Sequence, residues 1–202
     1  MTHTLEFWFE FGSTYSYLTA MRIEEAAGAR GVSVRWRPFL LGPVFGAQGW
    51  NTSPFNIYKA KGDYMWRDMA RRAARYGLPF RRLPESGPGA FPQNGLTAAR
   101  MALVGMEEGW GEAFTRAVYS AEFADGHDIA DTTLLQRLAA EAGATGDVLA
   151  RAQAQGNKDH LKANVEEAFR LGIFGAPSFI VDGDLYWGDD RLEDALDAAA
   201  AG

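Results

Sequence analysis

The sequence predicts an α/β protein in which an N-terminal βαβ unit and a C-terminal β-hairpin–helix are separated by a large all-helical insertion. Three observations carry this expectation. Residues 4–11 alternate with a period of two, residues 14–28 carry an apolar stripe at helical spacing, and residues 32–38 (VSVRWRP) alternate again. Strand, helix and strand within about 35 residues make a βαβ unit with a parallel pair. About a hundred residues without a comparable strand follow, and then PSFIVDGDLYWG (177–188) presents two short strands around Asp182–Gly183, a hairpin signal.

Element by element, Leu5, Phe7, Phe9 and Phe11 share one face of the first strand, and Glu6, Trp8 and Glu10 share the other. Ser13 is the expected N-cap of the helix over 14–28, with Gly28 and Gly31 at its end. Val32, Val34 and Trp36 share one face of the second strand. Helices are expected over 61–77, 94–108, 110–122, 132–143, 146–155 and 157–171, the last capped by Asn157 and stopped by Gly172. The Pro/Gly-dense segment 83–92 reads as a loop, and 190–200 as a closing helix. Without the insertion the remainder has thioredoxin topology. The expected division is therefore 1–42 plus 157–202 as the thioredoxin-like domain and 43–156 as the inserted helical domain.

Composition narrows the function classes. The 202 residues are 47% apolar and 23% charged, with formal net charge −6, which disfavours nucleic acid as a partner. No apolar run approaches the roughly 20 residues of a membrane span, and MTHTLEFWFEFG has no basic leader pattern, so a cytoplasmic location away from membranes is expected. The chain contains no cysteine, which excludes disulfides, thiolate metal sites, a protein thiol nucleophile and thiol–disulfide exchange by its own residues. Its three histidines (His3, His127, His160) show no ligand spacing, so no metal site is expected.

Three places could carry chemistry. Ser13 stands where the first strand gives way to a helix, at the carboxyl edge of the sheet where ligands usually bind. There a hydroxyl and backbone N–H groups can stabilise an anion; alone, Ser13 also reads as a simple helix cap. Ala176–Pro177 precedes the third strand. In thioredoxin topology that proline is cis and its loop lies against the first helix, whereas an isolated Ala-Pro would be an ordinary trans turn. Asp189 and Asp190 stand between the last strand and last helix, either as an N-cap or as partners for a ligand ammonium. The arginines at 67, 71, 72, 75, 81 and 82 form a basic cluster that reads as a solvated helix face, with one member able to reach a carboxylate. His127 reads as structural.

FWFEFGSTYSYL (7–18), RPFLLG (37–42), KAKGDYMWRDM (59–69), FPQN (91–94), GIFGAPSFIVDG (172–183) and YWGDDRL (186–192) occur in order across nearly the whole chain. Together they resemble the 2-hydroxychromene-2-carboxylate isomerases, relatives of the kappa-class glutathione transferases in the thioredoxin superfamily. The resemblance implies that the missing thiol arrives with glutathione and is activated by Ser13. The pair after that serine is commonly Pro-Phe and is here Thr14-Tyr15, which leaves the hydroxyl in place. By the same mapping, Asn51 and Lys61 are insertion-side contacts to glutathione, and Ala176 and Pro177 border its cysteinyl part. Asp190, with Asp189 beside it, would receive the γ-glutamyl end; family members commonly carry Ser or Gln at the Asp189 position.

The implied reaction interconverts 2-hydroxychromene-2-carboxylate and trans-o-hydroxybenzylidenepyruvate by reversible thiolate addition. A thiol of pKa about 8.5 is only about 3% ionised at pH 7, and lowering it by ~2 units (about 2.7 kcal/mol) ionises most of it. An aromatic substrate implies aromatic walls, for which Tyr15, Phe39, Tyr64, Trp66 and Trp187 are candidates. A homodimer is implied as well. The alternatives are a kappa-like glutathione transferase, which releases the adduct, and a non-enzymatic module that binds a thiol or peptide without forming a thiolate.

Overall fold

The computed structural model describes residues 3–202. His3–Phe9 (β1) runs parallel to Val32–Pro38 (β2), with Phe7 opposite Trp36. Where one helix over 14–28 was expected there are two, Thr14–Ala20 (α1) and Ile23–Gly28 (α2). The break falls at Arg22, which leaves helical geometry (φ −130°, ψ −12°), and its guanidinium is bonded to Asp189 far along the chain.

Two short helices, Leu41–Ala47 (α3) and Pro54–Ile57 (α4), open the insertion where none was expected. Glycines and Pro43 dilute the helical period of α3, but a proline in the first turn removes no intrahelical donor. Ser53 caps α4 by accepting from the Phe55 N–H, with Pro54 at the first helical position. Lys59–Arg75 (α5), Leu96–Glu108 (α6) and Gly111–Ser120 (α7) follow. A single π-helical turn spans Ala121–Asp125; then come Thr132–Glu141 (α8), Val148–Gln153 (α9) and Gln155–Arg170 (α10). Asn157 does not cap α10. Its Nδ2 donates to Arg100 O (2.9 Å) and Ala152 O (3.0 Å), tying α10 to α6 and α9.

Ser178–Val181 (β3) and Asp184–Trp187 (β4) form the hairpin, and Asp182 and Gly183 both take positive φ (50° and 92°) as the tight turn demands. A 3₁₀ turn over Asp189–Arg191 leads into Leu192–Ala201 (α11), and neither Asp189 nor Asp190 caps it. The sheet order is β2-β1-β3-β4, with β3 antiparallel to β1 and β4 antiparallel to β3.

Both faces of the sheet are covered. Leu5, Phe7 and Phe9 meet Trp36 and Phe179 on one face, in a cluster that continues through α11 and into α6, α7 and α8. On the other face Trp8 is buried with Phe39, Val165, Ala168 and Ile180, which seats α10. At roughly 1.5–3 kcal/mol per fully buried large apolar side chain, these two layers fix the end of β1 and the start of β3 side by side. No helix among the described residues is long and apolar enough to cross a membrane.

Candidate functional site

The chain leaves β1 through Phe11 and Gly12 and turns into α1 at Ser13. Ser13 holds extended geometry (φ −88°, ψ 113°), and its N–H donates to Glu10 O at 3.0 Å. Its hydroxyl oxygen accepts the Ser16 N–H (3.3 Å), so it is the N-cap. The same hydroxyl donates to Ala176 O at 2.8 Å, across 163 positions of sequence. The Ala176–Pro177 peptide is cis, and this loop abuts the first turn of α1 because β3 pairs with β1.

A cleft of about 790 Å³ opens over that contact, within the ~300–1,000 Å³ range of small-molecule sites. It brings together Ser13, Tyr15, Lys61, Tyr64, Ala176, Pro177, Trp187, Asp189 and Asp190, residues from both ends of the chain and from α5. Three of the expected residues are placed elsewhere. Phe39 is completely buried beside Trp8, edge-on at 6.0 Å between centroids, and forms core rather than a wall. Trp66 packs against Phe80 and Phe91 and does not line the cleft. Asn51 is exposed and borders a smaller adjoining cavity of about 530 Å³ together with Asn94.

Asp189 also departs from its expected role. Its carboxylate is fully buried and spent within the protein: Oδ1 accepts from Thr19 Oγ1 (2.9 Å) and Arg22 Nη2 (3.2 Å), and Oδ2 from Arg72 Nε (3.0 Å). Two guanidiniums neutralise the extra charge, so the carboxylate has no free acceptor for a ligand ammonium. Arg72 is the member of the basic cluster that reaches Asp189, while Arg71 pairs with Asp68 and Arg82 with Glu85; each of these carboxylates is the protein's own. Asp190 is half exposed at the rim, 3.0 Å from Arg191.

Electrostatics divide the remaining cleft. The Tyr15 hydroxyl donates to Asp68 Oδ2 (3.0 Å), and burial together with the Asp68 charge pushes its phenol up, so it stays protonated. Lys61 lies over the Tyr58 ring at 4.9 Å; it has no carboxylate partner among the described residues. Glu10 went unrecognised in the sequence. Alternation grouped it with Glu6 and Trp8 on the second face of β1 and gave it no role, yet it lines the cleft, where burial raises its carboxyl to about 7 against the opposing hydrogen bond from Gly12. The signal available was position: a carboxylate at the carboxyl end of a strand, three residues before the serine. Among the described residues His127 bonds through its backbone, its N–H to Ala121 O and its carbonyl to Gln93.

A parallel βαβ unit, a hairpin entered through a cis-proline, and a polar residue between them define a thioredoxin-type binding edge. The chain belongs to the DSBA-like thioredoxin domain family, whose model matches residues 4–200. It is also a homologue of the 2-hydroxychromene-2-carboxylate isomerases. It is 31% identical over 198 residues to the enzyme of that name from Sphingobium xenophagum, covering 96% of each chain. A solved 2-hydroxychromene-2-carboxylate isomerase superposes with TM-score 0.83 at 23% identity, over 98% of this chain and 94% of the other. The cytosolic disulfide reductase DsbM from Pseudomonas aeruginosa, solved with GSH, shares the fold at TM-score 0.66 and 19% identity, over 98% and 96% of the two chains.

Proposed function

We propose that the protein is a glutathione-dependent isomerase that interconverts 2-hydroxychromene-2-carboxylate and trans-o-hydroxybenzylidenepyruvate, or a closely related aromatic acid. The observation that carries this reading is the Ser13 hydroxyl, bonded at 2.8 Å to the carbonyl before a cis-proline at the floor of an aromatic-walled cleft, in a chain without cysteine. The full-length kinship to 2-hydroxychromene-2-carboxylate isomerases supports the reaction class.

The residues present fit glutathione. The strand edge at Ala176 offers a backbone N–H and carbonyl to the cysteinyl part. Ser13 has one hydroxyl proton, now given to Ala176 O; turning it toward a sulfur frees that carbonyl for an incoming amide N–H. Thr14 and Tyr15 in the first turn of α1 have no intrahelical acceptor for their N–H groups and add positive potential. Lys61, lacking a carboxylate partner, suits a ligand carboxylate, and Asp190 at the rim suits an ammonium. Asp189 acts behind them, holding Arg72 and Arg22 in place.

Glutathione held by Ser13, Ala176 and Lys61 would supply a thiolate for reversible addition to the conjugated carbon of the substrate, which makes the former double bond single and free to rotate. Ser13 holds that sulfur ionised, Tyr15, Tyr64 and Trp187 stack on the substrate ring, and the cleft limits water. The test is an ultraviolet titration with glutathione near pH 7, following thiolate absorbance in wild type and Ser13→Ala. Saturable thiolate formation that is lost in the variant is expected. Saturable binding with no thiolate signal would instead support the thiol-binding module.

A further inference from the structure

Four carboxylates line the cleft, and three have cationic partners. Asp68 pairs with Arg71 (3.1 Å), Asp189 with Arg22 and Arg72, and Asp190 with Arg191 (3.0 Å). Glu10 alone of the four has no ion pair among the described residues. Its carboxyl group sits between two residues that lack side chains. A Cβ on Gly12 would lie 3.2 Å from Oε2, and a Cβ on Gly95 would lie 3.3 Å from Oε1. These glycines admit the carboxyl group against bare backbone, three residues from Ser13.

The groups around it add no compensating charge. From α7, Tyr119 donates its hydroxyl to Glu10 O (2.9 Å). From the π-helical turn comes Glu122, fully buried with neither carboxylate oxygen hydrogen-bonded. Burial, then Glu10, then Asp128 raise the Glu122 carboxyl well above its ordinary range, so it is neutral. Residues 91–95, the loop over Glu10, contain no charged side chain. The cations of the cleft are engaged elsewhere, Lys61 over Tyr58 and Arg72 on Asp189.

We propose that Glu10 is the acid–base residue of the cleft, the group that carries a proton between two oxygens of the substrate while Ser13 manages the sulfur. This rests on the isomerase reading. A cyclic hemiketal such as 2-hydroxychromene-2-carboxylate must open before its double bond can rotate. Glu10 carboxylate takes the proton from the hemiketal hydroxyl. The bond between that carbon and the ring oxygen breaks, its electron pair stays on the ring oxygen, and the carbonyl forms. Glu10 then returns the proton to the phenolate oxygen and is a carboxylate again. One proton is taken and one returned, and no oxidant or reductant is needed. By microscopic reversibility ring closure uses the same steps, so both directions start from the ionised form.

Because burial places the Glu10 carboxyl at about 7, it can accept and release a proton near neutrality. Activity should therefore rise with pH through that value in both directions. The experiment measures kcat and kcat/KM against pH at saturating glutathione for wild type, Glu10→Gln and Glu10→Asp, with thiolate absorbance followed in parallel. Glu10→Gln should still form the thiolate but lose roughly 10²–10³-fold in kcat together with the rising limb. Glu10→Asp should recover part of both. Full turnover by Glu10→Gln with the limb in place overturns the proposal and leaves the isomerase reading standing; a wild type that forms no thiolate overturns both.

Should Glu10→Gln fail to fold, the wild-type profile decides. A limb that follows thiolate ionisation alone overturns the assignment, and a separate limb near pH 7 supports it. A readout independent of turnover comes from ¹³C NMR of glutamate-labelled protein without glutathione. A carboxyl resonance titrating near 7 and missing from Glu10→Gln supports the role. A Glu10 resonance titrating at the ordinary 4.5 refutes it.

Discussion

Glu122 shows how one side chain couples the site to stability. It is buried with both oxygens unpaired, and burial together with Glu10 and Asp128 holds it protonated. In the unfolded chain it ionises at the ordinary 4.5. Its folded pKa is raised, so above 4.5 the folded state keeps a proton that the unfolded state releases. Stability is then fully present below the unfolded value and declines as pH rises toward the folded one. Glu122→Gln removes that decline. Its Tm should improve on wild type by several degrees more at pH 8.5 than at pH 5, since ~1 kcal/mol shifts Tm by about 2–4 °C at this size. Thermal circular dichroism at the two pH values checks this, and an equal difference at both would contradict it. The same two glutamates mark the limit of reading single residues from sequence. Ser13 and Pro177 announce themselves through local grammar, a cap at a strand–helix junction and a proline before a strand. Glu10 and Glu122 do not, because nothing local to a glutamate at the end of a strand or helix marks it as enclosed; Gly12 and Gly95 bracket the first, and the packing of the π-helical turn buries the second. Phe39 and Trp66 fail in the converse way: an aromatic side chain suits core and cleft equally, and packing decides.

At the scale of elements, the cleft depends on a clamp centred on Asp189. Thr19 and Arg22 reach it from the end of α1, Arg72 reaches it from α5, and Arg22 also pairs with Glu193 of α11. Three segments distant in sequence, the end of α1, α5 and the turn that leads into α11, are thereby pinned at one end of the sheet. The break between α1 and α2 belongs to this clamp, since Arg22 leaves the helix where its guanidinium meets Asp189. Nothing in residues 14–28 signals it, because the partner lies 167 positions away. The long amphipathic helices were legible from their periods; α3 and α4 were not, being shorter than two full repeats of an apolar stripe. Asp189→Asn leaves the largely buried Arg72 guanidinium without its counter-charge and Arg22 with Glu193 alone, and should cost about 3 kcal/mol, measured by urea unfolding. Asp190→Ala, at the rim beside exposed Arg191, should stay within about 0.5 kcal/mol. Equal losses in the two variants would mean that the clamp is not what holds the elements together.

Over the whole molecule, the order of strands and helices along the chain suggests an inserted domain over 43–156, but packing joins what sequence separates. Leu103, Phe114, Leu135 and Leu138 of the helical segment lie in the same contiguous cluster as Leu5, Phe7, Phe9 and Phe179 of the sheet. Tyr119 adds a polar tie to Glu10 at the end of β1. A boundary read from sequence marks where the chain stops making strands, whereas cooperativity follows shared buried surface, which sequence does not display. A cleft floored by the β1–α1 junction and walled by α5 keeps its shape only if both parts stay folded together. The chain should therefore unfold in one step. Native-state hydrogen exchange in low urea tests this: amides of β1 and α6 should show the same opening free energy and the same urea dependence. Opening of α6–α8 at lower free energy, with β1 still protected, would establish an independent helical unit. The wall contributed by α5 would then be the mobile side of the cleft.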